Sequence, residues 1–241
     1  MRKAALAVLV GFALLFVASL PAQAITFGQL DGNLHPNVGG LVVEFTPGEK
    51  FLICSGTLIS PTVFLTASHC TAFLPSVGIG PHDVWVTFDS VLSQTGTFYR
   101  GTYHTNPLYG HDAADPHDIA VIVLDQAVQG ITPATLPTAG ELDELAAKAG
   151  LKDQEFTAVG YGGVRTDKTG GWHYITYDDT RRYASQYFLS LTPAWLRLSE
   201  NISTGSGGTC YGDSGGPHFM GDKTSNLVVA LTVTGDANCR A

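Results

Sequence analysis

The chain has 241 residues, enough for one large or two small domains, and 44% of them are hydrophobic while 14% are charged. This composition allows a sizeable core and excludes wholesale disorder. The formal net charge is −8, and −10 once Arg2 and Lys3 are removed with the leader described next. So acidic a chain repels phosphate backbones, and we expect no nucleic-acid partner.

The first 24 residues have the pattern of a secretory signal peptide. Met1–Lys3 is a short positive start, Ala4–Leu20 is a largely apolar run, and Ala22–Ala24 offers small residues where a signal peptidase cuts. The alternative is an uncleaved membrane anchor, because the apolar run approaches the length that spans a bilayer. The helix breaker Pro21 and the small residues favour cleavage after Ala24. We therefore expect a secreted protein, extracellular or periplasmic, without membrane contact after cleavage.

The rest of the chain is predicted to be mostly β. Short, β-branched apolar runs are separated by Gly, Pro, Asn and Asp, which is typical of strands joined by turns. The runs are Gly39–Phe45, Phe51–Ile59, Val84–Phe88, Ile119–Leu124, Phe156–Val159 and Leu227–Val233. Glu141–Ala149 differs, since early acids, a late lysine and a following glycine predict a short helix. We expect it in a linker at 136–150, between all-β halves at 25–135 and 151–241.

The cysteine pattern predicts two disulfides rather than a metal site. The four cysteines, Cys54, Cys70, Cys210 and Cys239, contain no CxxC pair, and in an oxidising compartment an even number favours disulfides. Three connectivities are open at this point, and pairing neighbours along the chain needs the smallest loop closure. A group of histidines and acids precedes Asp118 but matches no zinc signature. Its members are His104, His111, Asp112, Asp115 and His117. We expect no metal and no cofactor.

Three segments carry residue types used in nucleophilic catalysis. They are Leu65–Cys70, Asp118–Val121 and Gly212–Pro217. A serine hydroxyl is a poor nucleophile at neutral pH unless a base accepts its proton and an anion orients and stabilises that base. His69, Asp118 and Ser214 supply these three roles. Any one segment is more simply explained as structural, and the combination in this order is what favours catalysis.

The glycines beside Ser214 predict an oxyanion hole. Two backbone N–H groups, those of Gly212 and Ser214, would have to point at one developing oxyanion. A turn of that kind needs backbone freedom without a Cβ in the way.

These motifs resemble those of the chymotrypsin/trypsin-like serine proteases. The likeness rests on TASHC around His69, DIAV at Asp118 and GDSGGP around Ser214, in the chain order His, Asp, Ser. It extends from Ile25 to the end of the sequence. It implies an all-β fold of two antiparallel six-stranded β-barrels, with the triad in the cleft between them.

The resemblance also implies roles for other residues. It supports the disulfides Cys54–Cys70 and Cys210–Cys239. In this family a free N-terminal Ile or Val places its ammonium beside the aspartate that precedes the nucleophile. Here that activation pair would be Ile25, freed by signal cleavage, and Asp213.

The family's spacing predicts the primary specificity pocket. Its base would lie at Gly208, and Val233 and Gly235 would lie in the strand that lines it. Gly208 carries no charge where a trypsin-like enzyme has Asp, so we expect an apolar or aromatic substrate side chain rather than Arg or Lys. The family continues past its last cysteine with a strand and a helix. We therefore expect the second barrel of this sequence to lack its last strand and the C-terminal helix.

The sequence favours a secreted serine endopeptidase, a monomer that hydrolyses protein or peptide substrates through an acyl-enzyme intermediate. The alternative is a secreted, non-catalytic binding protein on a protease scaffold. Such proteins commonly lose a triad residue, and all three are present here. An esterase with the same acyl chemistry is a third hypothesis, and it would hydrolyse esters without cleaving peptides.

Overall fold

The structure, a computed structural model, describes residues 25–165, 175–235 and 239. The predicted signal peptide, residues 1–24, lies outside the described residues. Within the described residues the chain forms fourteen strands and a few short helices. No helix in this part of the chain is long and apolar enough to cross a membrane.

The first half is a closed barrel of six antiparallel strands in the order β2-β3-β4-β7-β6-β5. These are β2 (Val38–Thr46), β3 (Glu49–Ser60), β4 (Val63–Thr66), β5 (Val84–Thr87), β6 (Tyr99–Thr105) and β7 (Ala120–Leu124). Alternate side chains point inward, so that Ala120, Ile122 and Leu124 of β7 are buried while Val123 is exposed. Phe64 is fully buried in this core, and its truncation to Ala should cost about 3–5 kcal/mol.

The second half is built on one six-stranded antiparallel sheet. Its path is β1-β11-β8-β13-β14, and β12 pairs with β11. The strands are β1 (Gln29–Leu30), β8 (Glu155–Gly160), β11 (Arg182–Leu191), β12 (Leu196–Ser199), β13 (Pro217–Met220) and β14 (Val228–Leu231), beside a separate hairpin of β9 (Val164–Arg165) and β10 (Ile175–Thr176). The predicted first half begins at residue 25, whereas β1 pairs with the second sheet.

The predicted fold class is confirmed. Each of the six predicted apolar runs overlaps a strand, and the predicted helix is present at Glu141–Ala147. No residue of this helix is buried, and the acids of its first turn, such as Glu141, are favourable at the positive end of the helix dipole. The remaining helices are a turn of α-helix at His69–Ala72 and 3₁₀ turns at Leu74–Val77 and Ile202–Thr204.

Both implied disulfides are present. Cys54–Cys70 joins β3 to the helix that starts at His69, with 6.2 Å between the Cα atoms. Cys210–Cys239 joins the loop before Ser214 to Cys239, with a Cα separation of 5.1 Å. Each bridge therefore braces a segment that carries a predicted catalytic residue.

A buried ionic cluster ties the N-terminal segment to both halves. Arg181, just before β11, is fully buried, and its Nε donates to Asp31 Oδ2 at 2.8 Å. Its Nη1 donates to the carbonyls of Val38 and Phe88 in the first half, at 2.8 and 2.9 Å. Burial opposes ionisation of Asp31, but bonds and charge from His35 and Arg181 hold its pKa below the usual range. Arg181 and Asp31 thus form a buried ion pair in which each charge stabilises the other.

Candidate active site

Strand pairing brings His69 and Asp118 together. His69 follows β4, Asp118 precedes β7, and these strands are paired with Thr66 opposite Ala120. Asp118 Oδ2 lies 2.7 Å from His69 Nδ1, and Asp118 Oδ1 accepts a hydrogen bond from the backbone N–H of His69 at 2.8 Å. One carboxylate thus fixes both the backbone and the ring of the histidine.

The electrostatics of this pair suit a base and its orienting anion. Burial of Asp118 opposes its ionisation, but the hydrogen bonds from the ring and backbone of His69 outweigh burial and lower the pKa of Asp118. An ionised Asp118 accepts a hydrogen bond from the Nδ1–H of His69, which leaves Nε2 as the hydrogen-bond acceptor of the ring. The side chain of His69 is 30% exposed, whereas that of Asp118 is only 9% exposed.

The loop that carries Ser214 crosses from the second half to the first. The carbonyl of Ser214 accepts a hydrogen bond from the N–H of Ser55 on β3 at 2.8 Å and lies 3.8 Å from Cys70 Sγ. The backbone of Ser214 therefore lies against the disulfide next to His69. Among the described residues no hydrogen bond joins the Ser214 hydroxyl to His69, and such bonds often tighten only when substrate is bound.

The predicted oxyanion hole has two free donors. Gly212 has φ +99°, a backbone conformation that L side chains rarely adopt. The N–H groups of Gly212 and Ser214 make no hydrogen bond to any other residue that the structure describes, whereas those of Asp213 and Gly215 bond carbonyls at 3.0 and 2.7 Å. Two unpaired N–H groups in one tight turn are suited to bind an anionic oxygen.

Ser55 holds this turn in place, and sequence reasoning missed it. Its hydroxyl donates to the carbonyl of Gly212 at 2.8 Å and accepts from the N–H of Tyr161 at 2.9 Å. Gly162 is the residue after Tyr161. A Cβ on Gly162 would lie 2.3 Å from a carboxylate oxygen of Asp213, so only glycine fits at this position. The only local signal for Ser55 was its position next to Cys54.

Asp213 is a buried acid that forms no salt bridge with any residue that the structure describes. Its side chain accepts hydrogen bonds from the N–H groups of Gly162 and Cys210 at 2.7 and 2.8 Å. Burial outweighs these bonds and raises the pKa of Asp213 to about 7. Neither bond comes from Ile25, which is itself buried. In the unprocessed chain the nitrogen of Ile25 is in a peptide bond with Ala24, so no ammonium is available to pair with Asp213.

A cleft of about 650 Å³ opens beside Asp118 and continues into the second half. Val233 and Gly235, two of the three predicted pocket residues, line it. Gly208, the third, is buried, its N–H donates to the Thr26 carbonyl at 2.9 Å, and it is not part of the cleft wall. The next residue, Thr209, lines the cleft instead.

Glu200 and His218 are among the cleft residues that were not predicted from the sequence. Glu200, just after β12, contributes a carboxylate, and His218 on β13 contributes a buried imidazole. Burial lowers the pKa of His218 to about 4, so this ring is neutral at pH 7. Its Nε2 lies 3.0 Å from Thr232 Oγ1, and its Nδ1 has no partner within the described residues.

One group of metal-binding residue types converges in the described part of the chain. It consists of Cys54, His69 and Cys70. Both sulfur atoms are in a disulfide, so they cannot act as thiolate ligands. The arrangement does not suit a metal ion.

The β-architecture, the His69–Asp118 pair and the serine loop with free N–H donors define a protein of the serine protease class. A family model described as Trypsin matches residues 35–241, and the chain belongs to this family. A curated protein named trypsin, from Saccharopolyspora erythraea, is 30% identical over 227 residues, which is 88% of each chain. The resemblance drawn from the motifs is thereby confirmed.

Proposed function

We propose that the chain is a secreted serine endopeptidase with His69, Asp118 and Ser214 as its catalytic triad. The observation that carries the proposal is the doubly hydrogen-bonded His69–Asp118 pair beside the Ser214 loop. Family membership supports serine protease chemistry in general. The leader pattern and the two disulfides support export.

The proposed reaction is acyl transfer. Ser214 Oγ attacks the carbonyl carbon of the scissile peptide while its proton passes to Nε2 of His69, and Asp118 stabilises the imidazolium that forms. The N–H groups of Gly212 and Ser214 bind the oxyanion. His69 then protonates the leaving amine, which leaves an acyl-enzyme on Ser214. Water, deprotonated by His69, attacks this ester, and the proton returns to Ser214 when the acid product leaves.

We propose that signal cleavage activates the enzyme directly. Removal of residues 1–24 would convert the buried Ile25 nitrogen into an ammonium. Ionised Asp213 would then gain a direct ion-pair partner, and this pairing would stabilise the neighbouring Gly212 turn. The segment already lies at the second half, since Thr26 pairs with Gly208.

The proposal is tested with protein that begins at Ile25. A fluorophosphonate probe should label the parent, and fluorogenic peptides should be cleaved. Ser214→Ala should abolish labelling and lower kcat/KM at least about 10,000-fold, whereas Ser76→Ala, a change at an exposed serine, should alter neither. A well-folded parent without labelling would favour the non-catalytic binding protein. Ester turnover without peptide cleavage would favour an esterase.

The side-chain preference predicted from the sequence depended on Gly208. That residue is not part of the cleft wall, whereas Thr209 and Glu200 are. The prediction did not take into account the carboxylate that Glu200 contributes to the cleft wall. The preference for an apolar or aromatic side chain stays a prediction, and kcat/KM for peptides that differ only in the residue before the scissile bond (Phe, Leu, Lys, Arg or Glu) tests it.

A further inference from the structure

We propose that Ser55 is a positioning residue for the oxyanion hole, because its buried hydroxyl holds the glycine whose N–H is one of the two anion-binding donors. The inference rests on the proposed function, since it concerns the reaction at that same active site. Ser55 belongs to the first half of the fold and acts through the backbone of Gly212 and Ser214.

Ser55 bonds both residues whose N–H groups are the proposed oxyanion donors. Its hydroxyl donates to the carbonyl of Gly212 at 2.8 Å, and its backbone N–H donates to the carbonyl of Ser214 at 2.8 Å. The N–H groups of Gly212 and Ser214 make no hydrogen bond to any other residue within the described ranges. The carbonyls of the two residues are therefore tied to β3, while their N–H groups stay available to an anionic oxygen.

The glycine at position 212 needs a contact from outside the turn. Gly212 has φ +99°, and a Cβ there would lie 3.0 Å from the Cα of Gly162. The missing Cβ that permits this conformation also leaves the backbone of Gly212 weakly restrained. Rotation of the peptide group between Gly212 and Asp213 would break the bond from Ser55 and the bond from the Asp213 N–H to the Cys210 carbonyl, at 3.0 Å. The Ser55 hydroxyl therefore opposes this rotation.

Ser55 is in turn held by its own neighbours. It is fully buried on β3, and its hydroxyl oxygen accepts a hydrogen bond from the N–H of Tyr161 at 2.9 Å while its proton is donated to Gly212. The carbonyl of Ser55 accepts a hydrogen bond from Thr66 Oγ1 at 2.8 Å. Thr66 ends β4, three positions before His69. These contacts connect the strand that precedes the base to the turn that carries the nucleophile.

The restraint should matter most when negative charge develops on the substrate carbonyl oxygen. Donors that are already in place stabilise the transition state without reorienting, and loss of one such donor costs about 100- to 1,000-fold in kcat. Removal of the Ser55 hydroxyl leaves both donors present but restrains the turn less, so the expected loss in kcat is smaller, about tenfold. KM should change little, because the neutral carbonyl oxygen of bound substrate is a weaker acceptor.

The first test is Ser55→Ala in protein that begins at Ile25. We expect kcat per active site titrated with a fluorophosphonate to fall about tenfold and KM to change less than about threefold. Thr57→Val is the matched control, because Thr57 also has a fully buried hydroxyl on β3. That hydroxyl donates to the carbonyl of Asn37 at 3.2 Å and not to the nucleophile turn, so kcat should stay within about twofold of the parent value.

A peptide aldehyde separates the oxyanion hole from the rest of the binding site. Ser214 Oγ adds to the aldehyde carbon, the hydroxyl proton passes to His69, and the carbonyl oxygen becomes an oxyanion. The corresponding peptide alcohol binds without this reaction. Ser55→Ala should weaken inhibition by the aldehyde about tenfold and inhibition by the alcohol less than about threefold, since only the aldehyde resembles the transition state.

A second variant, Ser55→Gly, removes the same hydroxyl together with the Cβ, and its loss in kcat should equal or exceed that of Ser55→Ala. Parent-like kcat and aldehyde inhibition in either variant, or an equal loss in Thr57→Val, would overturn the inference. Counting only titrated sites prevents unfolded protein from imitating the loss. Fluorophosphonate labelling of the parent reports the proposed function separately, since a labelled parent with parent-like Ser55 variants refutes only the role of Ser55.

Discussion

The buried carboxyl of Asp213 should make the stability of the unprocessed protein depend on pH in an unusual direction. Its side chain is buried, and burial raises its pKa from 3.8 to about 7. The folded protein therefore binds this proton more tightly than the unfolded chain does. The resulting stabilisation is complete below the unfolded pKa, and it is lost as the pH rises towards the folded pKa.

The size of the effect follows from the shift. A change from 3.8 to about 7 corresponds to about 4 kcal/mol of unfolding free energy in total, of which about 3 kcal/mol is lost between pH 4 and pH 7. His218 acts in the opposite direction, because burial lowers its pKa from 6.5 to about 4. Its contribution is present above pH 6.5 and is lost as the pH falls towards 4. The pH dependences that Asp213 and His218 give to the unfolding free energy have opposite signs, so the parent alone would show neither of them. Subtracting the unfolding free energy of Asp213→Asn from that of the parent removes the contribution of His218, because both proteins contain this residue.

The assay is urea unfolding at pH 4 to 7.5 for parent and Asp213→Asn, in two forms. One form begins at Ile25, and the other carries one additional residue before it. In the extended form the unfolding free energy of the parent relative to Asp213→Asn should fall by about 3 kcal/mol between pH 4 and 7. In the form that begins at Ile25 the ammonium should pair with ionised Asp213, so most of this fall should disappear and peptidase activity should be much higher. The same pH dependence and the same activity in both forms would refute the activation pair.

Two further variants test the triad and the buried cluster. Asp118→Asn should lower kcat about 10,000-fold, the effect known for the corresponding aspartate in this family, because His69 loses the anion that fixes its tautomer. Active-site titration should accompany this measurement, and an unchanged kcat would contradict the assigned role. Arg181→Met leaves Asp31 buried without its cation and should cost about 3–5 kcal/mol in urea unfolding. Adding Asp31→Asn should recover part of that loss, and a double variant no more stable than the single one would count against the ion pair.

Local patterns were sufficient for the strands, the helix and the motif residues. The β7 segment alternates between buried and exposed residues, so its apolar pattern is visible within five positions. His69 and Asp118 could be paired from motifs alone, and strand pairing accounts for their contact. The disulfides join cysteines that are neighbours along the chain. In each case the information lies within a short stretch or in a motif of high specificity.

The residues that sequence reasoning missed act through distant contacts. Ser55 bonds Gly212, 157 positions away, and Arg181 bonds Asp31, 150 positions away. A lone serine or arginine has no local signature for such a contact, because tertiary approach alone decides it. Motif spacing placed the pocket base at Gly208, but the Gly208 N–H bonds Thr26 and lies outside the cleft wall. The role of Gly208 as the pocket base therefore stays a prediction.

The N-terminal segment explains why processing should act through charge rather than through refolding. Thr26 already pairs with Gly208, β1 already pairs with β11, and Asp31 is already bound to Arg181 in the unprocessed chain. Ile25 is therefore held against the second half before any cleavage, and it is buried there. If Ile25 pairs with Asp213 as proposed, cleavage would add a positive charge to a segment whose strand and ionic contacts are already formed. Because the entropy of ordering this segment would be lost on folding and not on cleavage, most of the ammonium's interaction energy would then be available to ionise Asp213.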